Sequence, residues 1–173
     1  MKHPLTNRPI FSRVPLLAGI ALALLLATAP DARAACYSSA VPKVDWSRCN
    51  LSAKDLLSAN LKGANLEGAN LKGARLTSAN LEGANLEGAN LKGARLNAAY
   101  LKDANLKGAD LERANLRGVR LQGANLSDAN LKGAKLIGAY MKGANLKGAN
   151  LKGANLKGAI WIDGSVCKNK GCN

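Results

Sequence analysis

The stretch from Gly143 to Ile160 reads GANLKGANLKGANLKGAI, and it decides the fold because a leucine returns in it at every fifth position. A step of five turns an α-helix by about 140°, so the leucines would scatter around the helix and form no apolar stripe. Five is also odd, so on a flat strand successive leucines would face opposite sides. The period therefore argues against both an amphipathic helix and a long flat strand.

The same pattern continues over most of the chain. The leucine position occurs 22 times from Leu51 to Leu156, with Met141 as its only exception, and an alanine stands two residues earlier from Ala59 to Ala159 except at Val119. Residues two apart in an extended segment face the same side, so each alanine and leucine form an inward pair. Glycine beside a polar residue is typical of a tight turn. Repeated turns of one sense would wind such a chain into a solenoid.

The run ANLKGANLEGANLKG at 59–73 and the lead-in VDWSRCNLSAKDLLSANL at 44–61 resemble the pentapeptide-repeat proteins. The resemblance extends from Val44 to about Ile162. It implies an all-β fold, a right-handed quadrilateral β-helix with four pentapeptides in each coil, so that the 22 to 24 units here would form about five to six coils. Stacked strands lie about 4.8 Å apart, which gives a stack roughly 25 to 30 Å tall.

The first 34 residues have the pattern of a secretory signal peptide. Basic residues precede an apolar run from Val14 to Thr28, and the small residues Ala32 and Ala34 offer a cleavage site. The run is shorter than the about 20 residues of a membrane span, so no integral span is expected after cleavage. The predicted location is the periplasm or the outside of the cell. Lipidation at Cys36 is the alternative to cleavage at Ala34.

Four cysteines lie in pairs at the two ends of the exported chain, where an oxidising compartment favours disulfides. The Cα atoms of a disulfide approach within about 7 Å, and the predicted stack is several times taller than that. We therefore expect Cys36 to pair with Cys49 and Cys167 with Cys172, as caps on the two ends. The same distance argues against one four-cysteine zinc site.

The chain is basic, and its charge is unevenly distributed. Signal cleavage would remove four of the 25 Lys and Arg residues and one of the 11 acids, leaving a net charge of +11. Between Asn130 and Ala159 there are lysines and no acid. Such a field attracts polyanions, although solubilising decoration is the alternative for any single residue. The candidate contacts are Lys132, Lys142, Lys147, Lys152 and Lys157.

With four units in a coil, residue n would stack on residue n + 20. This places Tyr100, Arg120 and Tyr140 in one column, close enough for the guanidinium to lie between two rings. The column is a second candidate interaction surface, and a surface staple is the alternative. Asparagine columns, such as the one through Asn65 and Asn85, are expected to form hydrogen-bonded ladders.

Catalysis has no support in the sequence. The only histidine, His3, falls in the predicted signal peptide, and carboxylates such as Asp103, Glu112 and Asp128 are scattered. Phosphate-binding and metal-binding motifs are absent from the sequence. We predict a protein that is not an enzyme and has no catalytic residue, metal, cofactor or small-molecule substrate.

The predicted function is that of an exported scaffold that binds a protein or an anionic polymer of the cell envelope. The alternative is a basic member that binds nucleic acid or interacts with topoisomerases. The resemblance implies that some pentapeptide-repeat proteins imitate DNA and inhibit type II topoisomerases, which needs an acidic surface in the cytoplasm. The basic charge and the export signal of this chain favour the first prediction.

Four segments follow from these patterns: a signal peptide at 1–34, an N-terminal cap at 35–45, the β-helix at 46–162 and a C-terminal cap at 163–173. The residues Ile160, Trp161 and Ile162 form an apolar patch on the last coil. Two roles for the patch are open: packing under the C-terminal cap, or a homodimer interface.

Overall fold

The structure is a computed structural model and describes residues 36–168 and 172. Within these residues the chain repeats a five-residue unit, in which one residue pairs with a neighbouring coil and two residues form a turn. This part of the chain contains no helix and no strand longer than one paired residue. Its β-structure consists of parallel bridges, from Asp45–Asn65 to Tyr140–Ile160, and one antiparallel bridge, Ile160–Val166.

Each unit turns a corner at the two residues that follow the leucine. The carbonyl of Leu61 accepts a hydrogen bond from the backbone N–H of Ala64 at 3.0 Å, which closes a turn over Lys62 and Gly63. The φ of Gly63 is +65°, in the left-handed region that a type II turn requires at its third residue. Glycine enters this region without steric cost, which explains why it holds most of the equivalent positions.

Successive coils stack with a period of 20 residues. Each parallel bridge joins residue n to residue n + 20, as Asn85 to Asn105 and Tyr100 to Arg120. One period contains four units and therefore four corners, so each coil has four sides. The bridging residues lie along the sides and the turn residues lie at the corners.

In an interior unit with asparagine or aspartate before the leucine, all five backbone N–H groups donate a hydrogen bond. In the unit 104–108, Leu106 and Gly108 donate to the following coil, Asn105 donates to the preceding coil, and the alanine N–H closes a turn. The fifth donor follows the leucine: Lys107 N–H donates to Oδ1 of Asn105 at 3.2 Å. Where asparagine or aspartate precedes the leucine, its side chain thus accepts the one hydrogen bond that the backbone leaves unmade.

Leucine and alanine side chains fill the interior of the coils. Leucine positions from Leu61 to Leu136 and alanine positions from Ala64 to Ala139 are at most 1% exposed. No polar or charged residue is buried among the described residues. The predicted inward pair is confirmed. A single unit cannot bury its leucine, so the coils are stable only as a stack.

Asparagine side chains link successive coils along two sides. Nδ2 of Asn105 donates to Oδ1 of Asn85 at 3.1 Å, and Nδ2 of Asn125 donates to Oδ1 of Asn105 at 3.3 Å. On the next side, Nδ2 of Asn130 donates to Oδ1 of Asp110 at 2.9 Å. The ladder hydrogen bonds predicted from the sequence are present.

Trp46 and the Cys36–Cys49 disulfide lie at the N-terminal end of the interior. Trp46 occupies the leucine position and is fully buried, and its indole N–H donates to Oγ of Ser38 at 2.9 Å. Lys54 stands where the pattern has alanine, and its Nζ lies 4.6 Å from the centroid of the Trp46 ring. The two cysteine Cα atoms are 5.5 Å apart. The indole N–H of Trp46 thus has a hydrogen-bond acceptor, Ser38, although the ring is buried.

A returning segment packs against the C-terminal end. Val166 pairs antiparallel with Ile160, and the buried Cys167 is bonded to Cys172. Trp161 is half-buried against the interior. Of the predicted apolar patch, Ile160 is thus paired with the returning segment, and Trp161 packs inward.

Candidate interaction surface

One side of the stack carries the predicted tyrosine column, defined as Tyr100, Arg120 and Tyr140. Backbone bridges join Arg120 to both tyrosines, and its Cζ lies 4.8 Å from the centroid of the Tyr100 ring, a cation–π contact. The residues Tyr100 and Tyr140 are 41% and 42% exposed. Within the described residues Arg120 has no such contact with Tyr140. The guanidinium therefore stacks on one ring and does not lie between two.

An open groove of about 280 Å³ lies beside this column. Tyr100 and Arg120 line it from the flat side, and Glu82, Lys102 and Gln122 line it from the adjoining corner. We call it the Tyr100 groove. The prediction from sequence named the first two residues and missed the three corner residues. Their spacing of 20, the period of the coil, was the signal that could have found them.

Arg120 is the groove cation without an acidic partner in the described part of the chain. Glu82 pairs with Lys62 at 3.4 Å, and Nζ of Lys102 lies 3.8 Å from the carboxylate of Asp103. The guanidinium is thus positioned by an aromatic ring, and its charge is not neutralised by a carboxylate.

The tyrosine column departs from the asparagine pattern of the bridging position. Between Asp45 and Asn155 this position is otherwise asparagine or aspartate, whose side chain accepts the N–H of the residue after the leucine. An exposed hydrogen bond of this kind contributes about 1 kcal/mol to the free energy of unfolding, and it is not available where another residue type occupies the bridging position. All exceptions fall on two adjoining sides of the stack: Arg75, Arg95, Tyr100, Arg120, Lys135 and Tyr140.

The lysines of the C-terminal coils are exposed and lack acidic partners. Six ion pairs occur among the described residues, and all their acids lie between Asp55 and Glu112. No acid occurs between Asp128 and Asp163. Apart from Lys135, which lies on a side, these lysines are turn residues, and those from Lys142 to Lys157 occupy four successive corners around the stack. The structure places at these corners the predicted residues Lys132, Lys142, Lys147, Lys152 and Lys157.

The carboxylates whose pKa departs from its ordinary value are held in their charged form. A hydrogen bond from Lys92, with 2.6 Å between Nζ and Oε2, lowers the pKa of Glu112. The backbone N–H of Ser47 lowers the pKa of Asp45 in the same way. A general acid at neutral pH requires the opposite shift. These carboxylates therefore serve the structure of the surface.

Among the described residues, no group of three or more His, Cys, Asp and Glu side chains could hold a metal ion. The four cysteines are joined as Cys36–Cys49 and Cys167–Cys172, as the sequence predicted. Residues 36–168 and 172 include no helix that is long and apolar enough to cross a membrane. The predicted signal peptide at 1–34 lies outside the described residues.

Comparison with family profiles matches the chain to pentapeptide repeats, in eight copies, at residues 55–93, 94–133 and 124–160. The chain belongs to the pentapeptide-repeat family, whose fold is a right-handed quadrilateral β-helix. Comparison with curated proteins finds no match.

Solved structures of the family are similar to this chain. A pentapeptide repeat protein from the thylakoid lumen of Arabidopsis thaliana is 37% identical, with 62% of this chain and 71% of that chain covered and a TM-score of 0.56. HetL of the cyanobacterium Nostoc sp. strain PCC 7120, a protein involved in heterocyst differentiation regulation, is 34% identical; 75% of this chain and 78% of that chain are covered, with a TM-score of 0.32. The first of these similarities supports the fold on structural grounds.

Proposed function

We propose that the protein is an exported, non-enzymatic scaffold whose lysine-rich C-terminal coils bind an anionic polymer of the cell envelope. The observation that carries this proposal is the set of exposed lysines without acidic partners between Asp128 and Asp163. Their charges are not neutralised locally, so their fields add outside the surface and attract polyanions.

Export is supported by the signal pattern at 1–34 and by the two disulfides, which persist in oxidising compartments. We assign the protein to the periplasm or the outside of the cell. Its β-helix would span 46–162 in five to six coils, with caps at 35–45 and 163–173. Each cap would hold one disulfide and shield a terminal coil whose backbone edge could otherwise pair with another chain.

The arrangement of the lysines favours a polymer over a small anion. Lys142, Lys147, Lys152 and Lys157 occupy four successive corners, so no two of them converge on one pocket. A single exposed charge pair contributes little in water, typically below about 1 kcal/mol. A polymer that contacts several corners at once adds these contributions through one molecule.

The test is binding to immobilised lipopolysaccharide at low salt. The triple variant Lys142→Glu, Lys147→Glu, Lys152→Glu is expected to bind at least about tenfold more weakly, because three attractive charges become repulsive. The matched control is Lys43→Glu, Lys62→Glu, Lys72→Glu, which makes the same change of charge in the N-terminal coils. The control is expected to keep most of the affinity.

Equal losses in the two triple variants would mean that net charge alone binds the polymer, and the assignment to the C-terminal coils would be wrong. Unchanged affinity in the first variant would contradict the proposal outright. Duplex DNA serves as the competing ligand, since it offers the same charge. Tighter binding to DNA than to lipopolysaccharide would favour the nucleic-acid alternative, although only 3% of the residues are aromatic and could stack on bases.

A further inference from the structure

We propose that the Tyr100 groove binds a uronate, a carboxylate-bearing sugar unit, within an extracellular polysaccharide. The lining of the groove includes none of the lysines of the C-terminal coils, so this inference does not depend on the function proposed above. It assigns a ligand class to a recessed surface that combines an exposed aromatic ring with a cation lacking a carboxylate partner.

The anionic part of the ligand is indicated by Arg120. Its guanidinium stacks on Tyr100 at 4.8 Å, and no described carboxylate pairs with it. Stacking on the ring fixes the orientation of the guanidinium before a ligand binds, so the Arg120 side chain loses less conformational entropy on binding. A planar guanidinium matches a carboxylate with two parallel hydrogen bonds.

The charge of the groove favours a singly charged anion over a doubly charged one. Its lining carries two cations, Lys102 and Arg120, and one carboxylate, Glu82. The neighbouring Lys62 and Asp103, which pair with Glu82 and Lys102, cancel each other. A net charge of one suits a carboxylate, whereas a phosphate monoester carries about −1.5 to −2 at neutral pH and would meet Glu82.

The sugar part is indicated by Tyr100, which lines the groove, and by Tyr140, which lies outside the lining in the same column on the other side of Arg120. Tyr100 and Tyr140 lie two coils apart, about 9.6 Å along the stack, and expose amphipathic ring surfaces. Sugar rings present flat C–H surfaces that pack on such rings. Gln122 and Lys102 add hydrogen-bond donors for hydroxyl groups at the corner.

An acidic peptide suits the groove less well. Peptides that bind β-structure in extended form pair with a free sheet edge. At the groove, the backbone of Tyr100 and Arg120 is already paired with the neighbouring coils. An extended peptide would therefore find no free sheet edge at the groove and would have to bind through its side chains alone.

The experiment monitors the tyrosine ring resonances of the purified, disulfide-bonded protein by NMR during titration with trigalacturonate. The chain has three tyrosines, and Tyr37 lies outside the groove as a built-in reference. The salt concentration is kept at about 1 M, where the Debye length is about 3 Å and the field of the lysines of the C-terminal coils is screened. Tyr100 and Tyr140 are expected to shift with saturation, and Tyr37 is expected to stay in place.

Variants then assign the contact. Arg120→Gln is expected to weaken binding by at least about tenfold. Arg120→Lys is expected to weaken it by less, because the ammonium keeps the charge and loses only the two parallel hydrogen bonds of the guanidinium. Arg117→Gln is the matched control, since it removes the same charge from an exposed arginine of the same coil outside the groove. It is expected to change the affinity by less than about twofold. Thermal melting checks that each variant is folded.

Three results would overturn the inference: no shift of Tyr100 with trigalacturonate, equal losses in Arg120→Gln and Arg117→Gln, or equal shifts with neutral maltotriose. A fourth result would also overturn it: equal shifts with inorganic phosphate or triglutamate would mean that the groove binds anions other than a uronate equally well. Failure of the proposed function has a different signature. In that case lipopolysaccharide does not bind at low salt, while the tyrosine shifts with trigalacturonate persist.

Discussion

At the scale of single residues, the asparagine before each leucine explains most of the polar surface. Its Oδ1 accepts the N–H two residues on, and its Nδ2 reaches the preceding coil, as Asn105 does toward Lys107 and Asn85. The positions that lack asparagine forgo the first of these contacts, and they lie on the two sides where the asparagines of the described chain form no side-chain ladder. We therefore regard Arg120 and its tyrosine neighbours as residues with a role other than stability.

The same reasoning predicts that Lys135→Asn stabilises the protein. Lys135 is exposed and lies between Asn115 and Asn155 in its column, and the N–H of Ile137 would gain a side-chain acceptor. The free energy of unfolding is expected to rise by about 1 kcal/mol, as measured by denaturant titration.

Lys132→Asn is the matched control, because it removes the same charge from a turn residue that lies after a leucine. At that position the side chain is not placed to accept the unit's remaining N–H. The control is expected to change the free energy of unfolding by less than about 0.5 kcal/mol. A loss of stability in Lys135→Asn, or an equal gain in both variants, would refute the assignment of the asparagine role.

At the scale of the element, the backbone strain of the described chain lies in the turns, at residues with positive φ. Among residues 36–168, non-glycine residues adopt positive φ at nine turns, including Ala98 with φ of +55° and Asp128 with φ of +59°. An L-residue in this region is disfavoured by roughly 1–2 kcal/mol. The inward leucines outweigh this cost because each is fully buried in the stack.

A pair of opposite substitutions tests this account of the turn. Ala98→Gly is expected to raise the free energy of unfolding by up to about 1 kcal/mol, after the larger entropy loss of glycine is subtracted. Gly93→Ala is expected to lower it by about 1 kcal/mol. A Cβ at Gly93, whose φ is +65°, would meet no atom within 4 Å, so the backbone angle alone decides the result. Changes of the same sign, measured by denaturant titration, would contradict the account.

At the scale of the whole molecule, the sequence predicts the interior better than the surface. Every inward position repeats one environment, so a period of five was enough to place Leu61 through Leu136 in the core. The ends break that equivalence. Trp46 and Trp161 share the register and each stacks on one coil only. Trp46 is nevertheless fully buried, because the segment that carries Ser38 packs over it, whereas Trp161 is half-buried.

The surface was predicted in part, because columns follow from the period whereas side-chain contacts do not. The spacing of 20 placed Tyr100, Arg120 and Tyr140 in one column. It did not show that the guanidinium stacks on Tyr100 alone, nor that Glu82 and Gln122 complete a groove. Those features depend on rotamers at a corner and on neighbouring ion pairs, which a repeat pattern does not encode.

The central claim is that this basic β-helix binds an anionic envelope polymer, and the affinity for polygalacturonate across a series of salt concentrations tests it most directly. The affinity of the wild-type protein is predicted to fall steeply as salt rises, because screening removes the attraction of the corner lysines. It should then level off at a weak residual binding that Arg120→Gln abolishes. An affinity that does not change with salt, or the absence of binding at low salt, would contradict the claim.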